Sequence, residues 1–160
     1  MKRLIKKILH KLIDGYFVAQ RESIKDIYGN NVQLQTPFYF SNLQNIKFGK
    51  NVTLAAFVHI WAEGGVEIGD NVMIASHTAI TSATHNPKIK QFNKENIFKK
   101  VVIGNNVWIG SHVVIFPGVQ IGNNCIIGAG SIVNKDIPDN CVYAGVPAKK
   151  LYELDQFEIL

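Results

Sequence analysis

The sequence predicts an all-β fold in which short parallel strands coil around one axis into a stacked prism. Three observations carry that prediction. A Gly-x-Asn turn recurs as Gly29-Asn30-Asn31, Gly49-Lys50-Asn51, Gly69-Asp70-Asn71, Gly104-Asn105-Asn106 and Gly122-Asn123-Asn124. Between these turns a finer six-residue period runs from Ile103 through Ile109, Ile115, Ile121 and Ile127 to Val133, with an aliphatic residue opening each hexad. The fifth position of the hexad is small or β-branched, as at Val72, Thr78, Thr84, Val107, Val113, Val119, Cys125 and Ser131. Six suits neither the 3.6-residue helical repeat nor the two-residue alternation of a hairpin strand. A strand and a turn per hexad, three hexads to a coil of eighteen residues, satisfies it. Coils stacked at roughly 4.8 Å place each aliphatic residue over its counterpart and pair the backbone along the axis.

The elements follow in order. In segment 1–26, Leu4, Ile5, Ile8, Leu9, Leu12 and Ile13 form one helical stripe, with Lys2, Arg3, Lys6, Lys7 and Lys11 largely opposite. This predicts an amphipathic helical cap that packs on the first coil or a neighbouring subunit, or whose residues 1–18 lie on an anionic membrane surface. Residues 27–148 form the β-helix. Asn tolerates left-handed backbone and Gly reaches it without a steric penalty, so Asn31, Asn51, Asn71, Asn106 and Asn124 are expected to stack at one corner. The two early intervals exceed a coil by two residues, which places bulges near Ser41–Asn45 and Glu63–Gly65. The interval from Asn71 to Asn106 is far longer. Counting hexads through Ile68, Ile74 and Ile80 ends a coil at His85, and the period resumes at Ile103, so about residues 86–102 form an extruded loop. Residues 149–160 are expected to form a short helical tail that caps the last coil.

At 160 residues and 47% hydrophobic, the chain can bury one core. Cys125 and Cys141 occupy the same hexad slot in successive turns, which assigns them to packing rather than to a disulfide. No apolar run is long enough to span a bilayer, and no secretory leader is evident, so a cytoplasmic location is the expectation, with membrane association through the basic helix as the alternative to its packing as a cap. The formal charge of +5 suits a polyanionic ligand, and no nucleic-acid motif accompanies it.

The run Ile103 to Ile115, Pro117-Gly118-Val119, Ile127 to Val133, Lys135-Asp136-Ile137-Pro138 and Ala144-Gly145-Val146-Pro147-Ala148 form one set of motifs. Together they resemble the hexapeptide-repeat acetyltransferases, in particular the branch containing galactoside and maltose O-acetyltransferases and the nodulation-factor acetyltransferase. The resemblance implies a left-handed parallel β-helix, a homotrimer, and acetyl-coenzyme A as cosubstrate. Handedness rests on the resemblance alone, because periodicity does not set it.

The resemblance also implies site residues. His85, in Thr84-His85-Asn86-Pro87, matches the family's catalytic histidine. A neutral imidazole there can take the proton of an acceptor hydroxyl as it attacks the thioester, without an acyl-enzyme. Glu95 lies eight residues before Ile103, at the offset of a family glutamate that would orient the imidazole. The loop also carries Lys88, Lys90, Lys94, Lys99 and Lys100, for which Glu95 is equally a solvated partner. Ser111, Ala129 and Lys135 match contacts to coenzyme A, and Trp108 matches an aromatic beside the pantetheine arm. Asn134 and Lys149 replace a family threonine and arginine, and Tyr152 replaces a further arginine, so one phosphate contact is either absent or supplied by Lys150. On the acceptor side the chain offers Phe57, His59, Trp61 and Glu63.

The predicted function is therefore acetyl-coenzyme A-dependent O-acetylation of a saccharide hydroxyl on a cell-surface polysaccharide or its precursor. An amino-sugar N-acetyltransferase is the close alternative, since the same base serves an amine. His77 and His112 share a hexad position one coil apart and His59 lies earlier, which keeps open a zinc enzyme like the γ-class carbonic anhydrases. No metal is nevertheless expected, because the close-set histidine pair of that class is not evident. A non-catalytic β-helical scaffold is the remaining alternative.

Overall fold

A computed structural model describes residues 31–154 together with Ile5, Lys7 and Lys11. Those three are helical, but the rest of the predicted amino-terminal cap lies outside the described residues, as do residues 155–160. Among the described residues no helix is long and apolar enough to cross a membrane.

The chain is a parallel β-helix whose strands, numbered in chain order, stack in three sheets. The first sheet holds β1 (Val32–Leu34), β4 (Val52–Leu54), β7 (Met73–Ile74), β12 (Val107–Ile109), β15 (Cys125–Ile127) and β17 (Cys141–Ala144). β2 (Tyr39–Ser41), β5 (His59–Trp61), β8 (Ala79–Thr81), β13 (Val114–Ile115) and β16 (Ile132–Val133) form the second. The third comprises β3 (Ile46–Phe48), β6 (Val66–Ile68), β11 (Val101–Ile103) and β14 (Gln120–Ile121). All pairings between coils are parallel and in register, so Ile60 sits under Ile80, Ile80 under Ile115, and Ile109 under Ile127. These side chains form one fully buried apolar column, as the six-residue period predicts.

The small slot is buried at Val72, Thr78, Val107, Val113, Val119, Cys125 and Ser131. Thr84 departs from the expectation: it is exposed, and Ser82 is the buried residue instead. Its hydroxyl donates to the Trp61 carbonyl at 2.9 Å and accepts from the Gly64 N–H at 2.8 Å, so the polar group inside the corner is satisfied. Cys125 and Cys141 are register partners with free, buried thiols.

The asparagine ladder forms. Asn51 donates to Asn71, Asn106 to Asn124 and Asn124 to Asn140, at 2.9, 3.1 and 2.9 Å, and each of these asparagines has a positive φ between 55° and 59°. The residue before each asparagine builds a second ladder. Asp70, Asn105, Asn123 and Asp139 accept, through Oδ1, the backbone N–H of the preceding coil at 2.7–2.8 Å. The glycine has a different role from the one predicted, because the left-handed turn belongs to asparagine. A Cβ at Gly69 would lie 2.6 Å from Asn105 Oδ1, and one at Gly122 only 2.2 Å from Asp139 Oδ1. Glycine is there to let successive corners touch.

Offsets between rungs are 20, 35, 18 and 16 residues along the chain. The 20-residue coils carry their extra residues where predicted, in a 3₁₀ turn at Leu43–Asn45 and in the Glu63–Gly65 corner. The 35-residue coil is an excursion of different form from a plain loop. β9 (Ala83–His85) and β10 (Asn96–Phe98) pair antiparallel as a hairpin, with a 3₁₀ turn at Phe92–Lys94, and the coil resumes at Val101. The predicted helical tail is also corrected: β18 (Lys149–Glu153) folds back antiparallel on β17, where the exposed edge of that strand offers unpaired backbone groups.

Candidate active site

The hairpin leaves the prism at the corner between the second and third sheets, and its root is tightly held. Thr81 Oγ1 donates to the Ala83 carbonyl at 2.9 Å and turns the chain out of the coil. The returning strand is tied by the Lys99 N–H to the Ser82 carbonyl at 2.8 Å and by the Val101 N–H to Gly65 at 3.1 Å. This crossing passes so close over Gly64 that a Cβ there would lie 2.6 Å from the Ser82 carbonyl oxygen. His85 therefore projects from an anchored strand of the hairpin, beyond the last coil strand rather than on it.

A cavity of about 510 Å³ opens at this root, lined by Trp61, Glu63, Thr81, Ala83, Thr84, His85, Asn96 and Phe98. His85 and Asn96 are direct partners across the hairpin. Glu63 brings a carboxylate from the bulged corner of the preceding coil. Its Oε1 accepts from Ser41 Oγ at 2.7 Å, while Oε2 is buried without a hydrogen-bond partner. A buried carboxylate oxygen without a donor is costly. Glu63 stood out in the sequence as one of the acceptor-side residues and as the start of the predicted bulge, without a role of its own. The available signal was an acidic residue inside a Gly-rich corner that breaks the coil length.

Glu95 lies beside Asn96, so the hairpin brings it near His85, and its carbonyl accepts from the Asn86 N–H at 3.1 Å. No hydrogen bond joins its carboxylate to the His85 ring in this structure. Trp61 lines the cavity and has His59 at its side, ring centroids 5.5 Å apart. Phe57 is placed elsewhere. It occupies the corner before β5 with φ 64° and stacks on His77 at 4.7 Å, which in turn stacks on His112 at 4.7 Å with planes 1° apart. The histidine stacking follows from their shared hexad position. The two rings lie face to face in parallel planes, and among the described residues no group of three or more His, Cys, Asp or Glu side chains is placed to hold a metal.

The residues assigned to the cosubstrate are spread around the prism. Trp108 stands half-exposed on the outer face of β12, between Met73 and Ile126, in a groove of about 800 Å³. Ser111 and Ala129 follow at the next corner in successive coils, where a Cβ on Gly110 would lie 2.6 Å from the Ala129 nitrogen. Asn134 and Lys135 stand past the far end of β16, and Lys149 begins β18; all three are exposed. Lys150 pairs with Glu153, which raises the lysine's pKa and lowers the glutamate's, so it is engaged on the protein itself. Burial pushes the Cys125 thiol up, away from thiolate chemistry.

The stacked coils with an anchored excursion define a hexapeptide-repeat protein, and residues 100–135 match the family described as bacterial transferase hexapeptide (six repeats). The chain is 46% identical over 144 residues to galactoside O-acetyltransferase of Escherichia coli K12, covering 86% of this chain and 70% of that protein. A hexapeptide-repeat acetyltransferase from Vibrio cholerae, solved with acetyl coenzyme A, superposes with a TM-score of 0.80 at 31% identity, covering 86% of this chain and 78% of that one. A galactoside acetyltransferase solved with coenzyme A gives a TM-score of 0.77 at 45% identity, covering 86% and 72%. This chain belongs to the hexapeptide-repeat acetyltransferases, a family of acyl-transferring enzymes.

Proposed function

We propose that this enzyme transfers the acetyl group of acetyl-coenzyme A to a hydroxyl of a saccharide, with His85 as general base. The observation that carries the reading is the cavity at the hairpin root, which His85, Glu63 and Trp61 line together. Glu63 Oε2 accepts a hydrogen bond from one acceptor hydroxyl, which fixes the sugar and removes the penalty of the unpaired oxygen. His85 takes the proton of a second hydroxyl as its oxygen bonds to the acetyl carbonyl carbon. The imidazolium returns that proton to the sulfur when the carbon–sulfur bond breaks, so no acyl-enzyme forms. Glu95 orients the imidazole once substrate draws the hairpin together, and His59 and Trp61 border the acceptor.

Trp108, Ser111, Ala129, Asn134, Lys135 and Lys149 would hold coenzyme A, whose apolar arm suits the Trp108 groove and whose phosphates suit the lysines. Within one protomer Trp108 lies on the first sheet, while His85 leaves from the corner between the second and third. A complete site is therefore built between subunits, which supports a homotrimer, and Phe57 enters the acceptor pocket of a neighbour. The basic amphipathic segment 1–18 would bring this trimer to an anionic membrane surface on the cytoplasmic side, where precursors of cell-surface polysaccharide are assembled.

The test is thiol release from acetyl-coenzyme A with a panel of saccharides and amino sugars, for wild type and His85→Ala. Saccharide-dependent release that yields an alkali-labile ester and falls roughly 100- to 10,000-fold in the variant supports the assignment. An alkali-stable amide product would reassign the acceptor to an amine. Coenzyme A binding without turnover on any acceptor would leave a scaffold.

A further inference from the structure

The hairpin that carries His85 also carries positive charge that the chain leaves unneutralised. Its tip, residues 86–95, holds Lys88, Lys90 and Lys94 against the single acid Glu95, and all four are exposed. Among the described residues none of these three lysines forms an ion pair, not even with Glu95 next to Lys94. The lysines at the root differ. Lys100 is paired with Glu67, and the stem of Lys99 lies 3.1 Å from where a Cβ on Gly118 would stand. The tip itself is a closed turn. The Asn86 N–H donates to the Glu95 carbonyl at 3.1 Å, the Lys88 N–H to Asn86 Oδ1 at 2.9 Å, and the Lys94 N–H to the Gln91 carbonyl at 3.0 Å. His85 and Asn96 are partners across the hairpin and both line the catalytic cavity, so the lysines stand just beyond its outer end.

A neighbouring subunit would not supply the missing counter-charge. If each site is completed across a subunit boundary, the face that brings Trp108 to this hairpin is the first sheet, whose outward residues are Gln33, Thr53, Met73, Trp108 and Ile126. None is acidic. At the edges of that face Glu153 is paired with Lys150, and Asp70 and Asp139 are bound to backbone N–H groups. Lysine is also depleted from the cores of protein interfaces. The phosphates of the cosubstrate are served by other lysines: Lys135 follows β16, which lies two coils, or roughly 9.6 Å, beyond β8 and its hairpin.

We propose that Lys88, Lys90 and Lys94 bind the phosphate or diphosphate of a phosphorylated saccharide acceptor, so that the enzyme acts on a sugar phosphate or diphosphate-linked sugar rather than on a free glycoside. The proposal rests on the acceptor being a saccharide. Ammonium groups on flexible stems meet a phosphate as point charges, without the fixed two-point geometry of arginine. The charges at the two ends of the cavity set the direction of binding. The Glu63 carboxylate on the prism side repels an anion and the hairpin tip attracts it, so the phosphate points outward and the hydroxyls point in toward His85.

The experiment compares steady-state acetylation of methyl α-glucoside, glucose 1-phosphate and UDP-glucose, and of the matching galactose series. The proteins are wild type, the triple variant Lys88→Gln, Lys90→Gln, Lys94→Gln, and the charge-keeping triple variant Lys88→Arg, Lys90→Arg, Lys94→Arg. In wild type, KM should be roughly tenfold lower for a phosphorylated acceptor than for its neutral glycoside, and about 0.5 M salt should shrink the difference. The glutamine variant should raise KM for the phosphorylated acceptor about tenfold, and the arginine variant should keep it low. KM for acetyl-coenzyme A and turnover of the neutral glycoside should stay within about twofold. Equal KM values for neutral and phosphorylated acceptors in wild type would overturn the proposal. So would a rise in KM for acetyl-coenzyme A in the glutamine variant, which would give the lysines to the cosubstrate. A changed sedimentation coefficient of that variant would also overturn it, because the lysines would then serve a contact between subunits. If no acceptor is turned over, calorimetric titration with glucose 1-phosphate and UDP-glucose separates the two ideas. Lysine-dependent binding keeps the phosphate site while the transferase reading falls, and absence of binding removes both.

Discussion

Gly69 and Gly122 illustrate how a single residue type can serve two physical purposes in one repeat. Both are held by the close approach of the next corner, whereas Gly130 has φ +70° and open space around its Cβ position. Gly69→Ala should therefore lower stability by about 1–3 kcal/mol, as overpacking does. Gly130→Ala should cost about 1 kcal/mol, the penalty of left-handed backbone. Urea titration of both variants checks the order. The sequence pointed to the right residues for a partly different reason, because Gly-x-Asn looks the same whichever residue carries the turn. His85 was legible through arithmetic, as the point where counting hexads fails, and through the resemblance of Thr84-His85-Asn86-Pro87 to the family's histidine segment. The unpaired oxygen of Glu63 was not legible at all, since it depends on Ser41 arriving from one coil earlier.

Among the elements, the hairpin of β9 and β10 is an addition to the prism rather than part of it. It is closed at its root by the Lys99-to-Ser82 hydrogen bond, and the coils on either side pair directly, Val66 with Val101 and Ala79 with Val114. Replacing its tip, residues 86–95, by a two-residue Asn-Gly turn should leave far-ultraviolet circular dichroism unchanged and Tm within a few degrees. Acetyl transfer should be lost. The length of the excursion could be read from the sequence, but its antiparallel pairing could not, because that strand signal is local, short and masked by lysines. β18 escaped for the same reason: Lys149–Glu153 has no alternation pointing to a sheet, and the edge of β17 selects its conformation. The third sheet carries its own electrostatic element. Hydrogen bonds from Lys100 and then Lys47 hold the Glu67 carboxyl below its ordinary range, with Nζ to Oε1 distances of 2.8 and 3.0 Å. Because the folded-state pKa is depressed, this contribution is present above the unfolded value and is lost as pH falls through the folded one. Glu67→Gln should therefore narrow the stability difference between neutral and acidic pH by at most about 1 kcal/mol, and 1 M salt should shrink the effect. Chemical denaturation at pH 7 and pH 3 with and without salt measures it.

For the whole molecule, the separation of Trp108 from His85 around the prism makes a prediction that no single chain can satisfy. If neighbouring subunits complete each site, then His85→Ala and Trp108→Ala proteins, each nearly inactive, should regain activity when unfolded and refolded together. Random mixing would restore roughly a quarter of the sites, because one site in four pairs an intact His85 with an intact Trp108. Recovery absent from stoichiometric mixtures would place both residues of a site on one chain. The general architecture was the most legible level of all, because a quasi-one-dimensional stack writes its period directly into the sequence. What crosses between subunits leaves no such period.

The antiparallel return of β18 has a consequence for how the molecule stops. A column of parallel coils presents, at its last turn, the same row of free N–H and C=O groups that accepted each earlier coil, and nothing in the repeat itself limits further addition. β18 runs against the grain. It pairs with β17 from Cys141 to Ala144, and the Leu154 N–H reaches back to the Asn140 carbonyl at 2.8 Å. On that face an incoming coil meets a strand of opposite direction, with charged Lys149, Lys150 and Glu153 turned to solvent. The segment thus acts as a chain terminator in the polymer sense, because on that sheet the edge it presents no longer matches the parallel direction of the repeat.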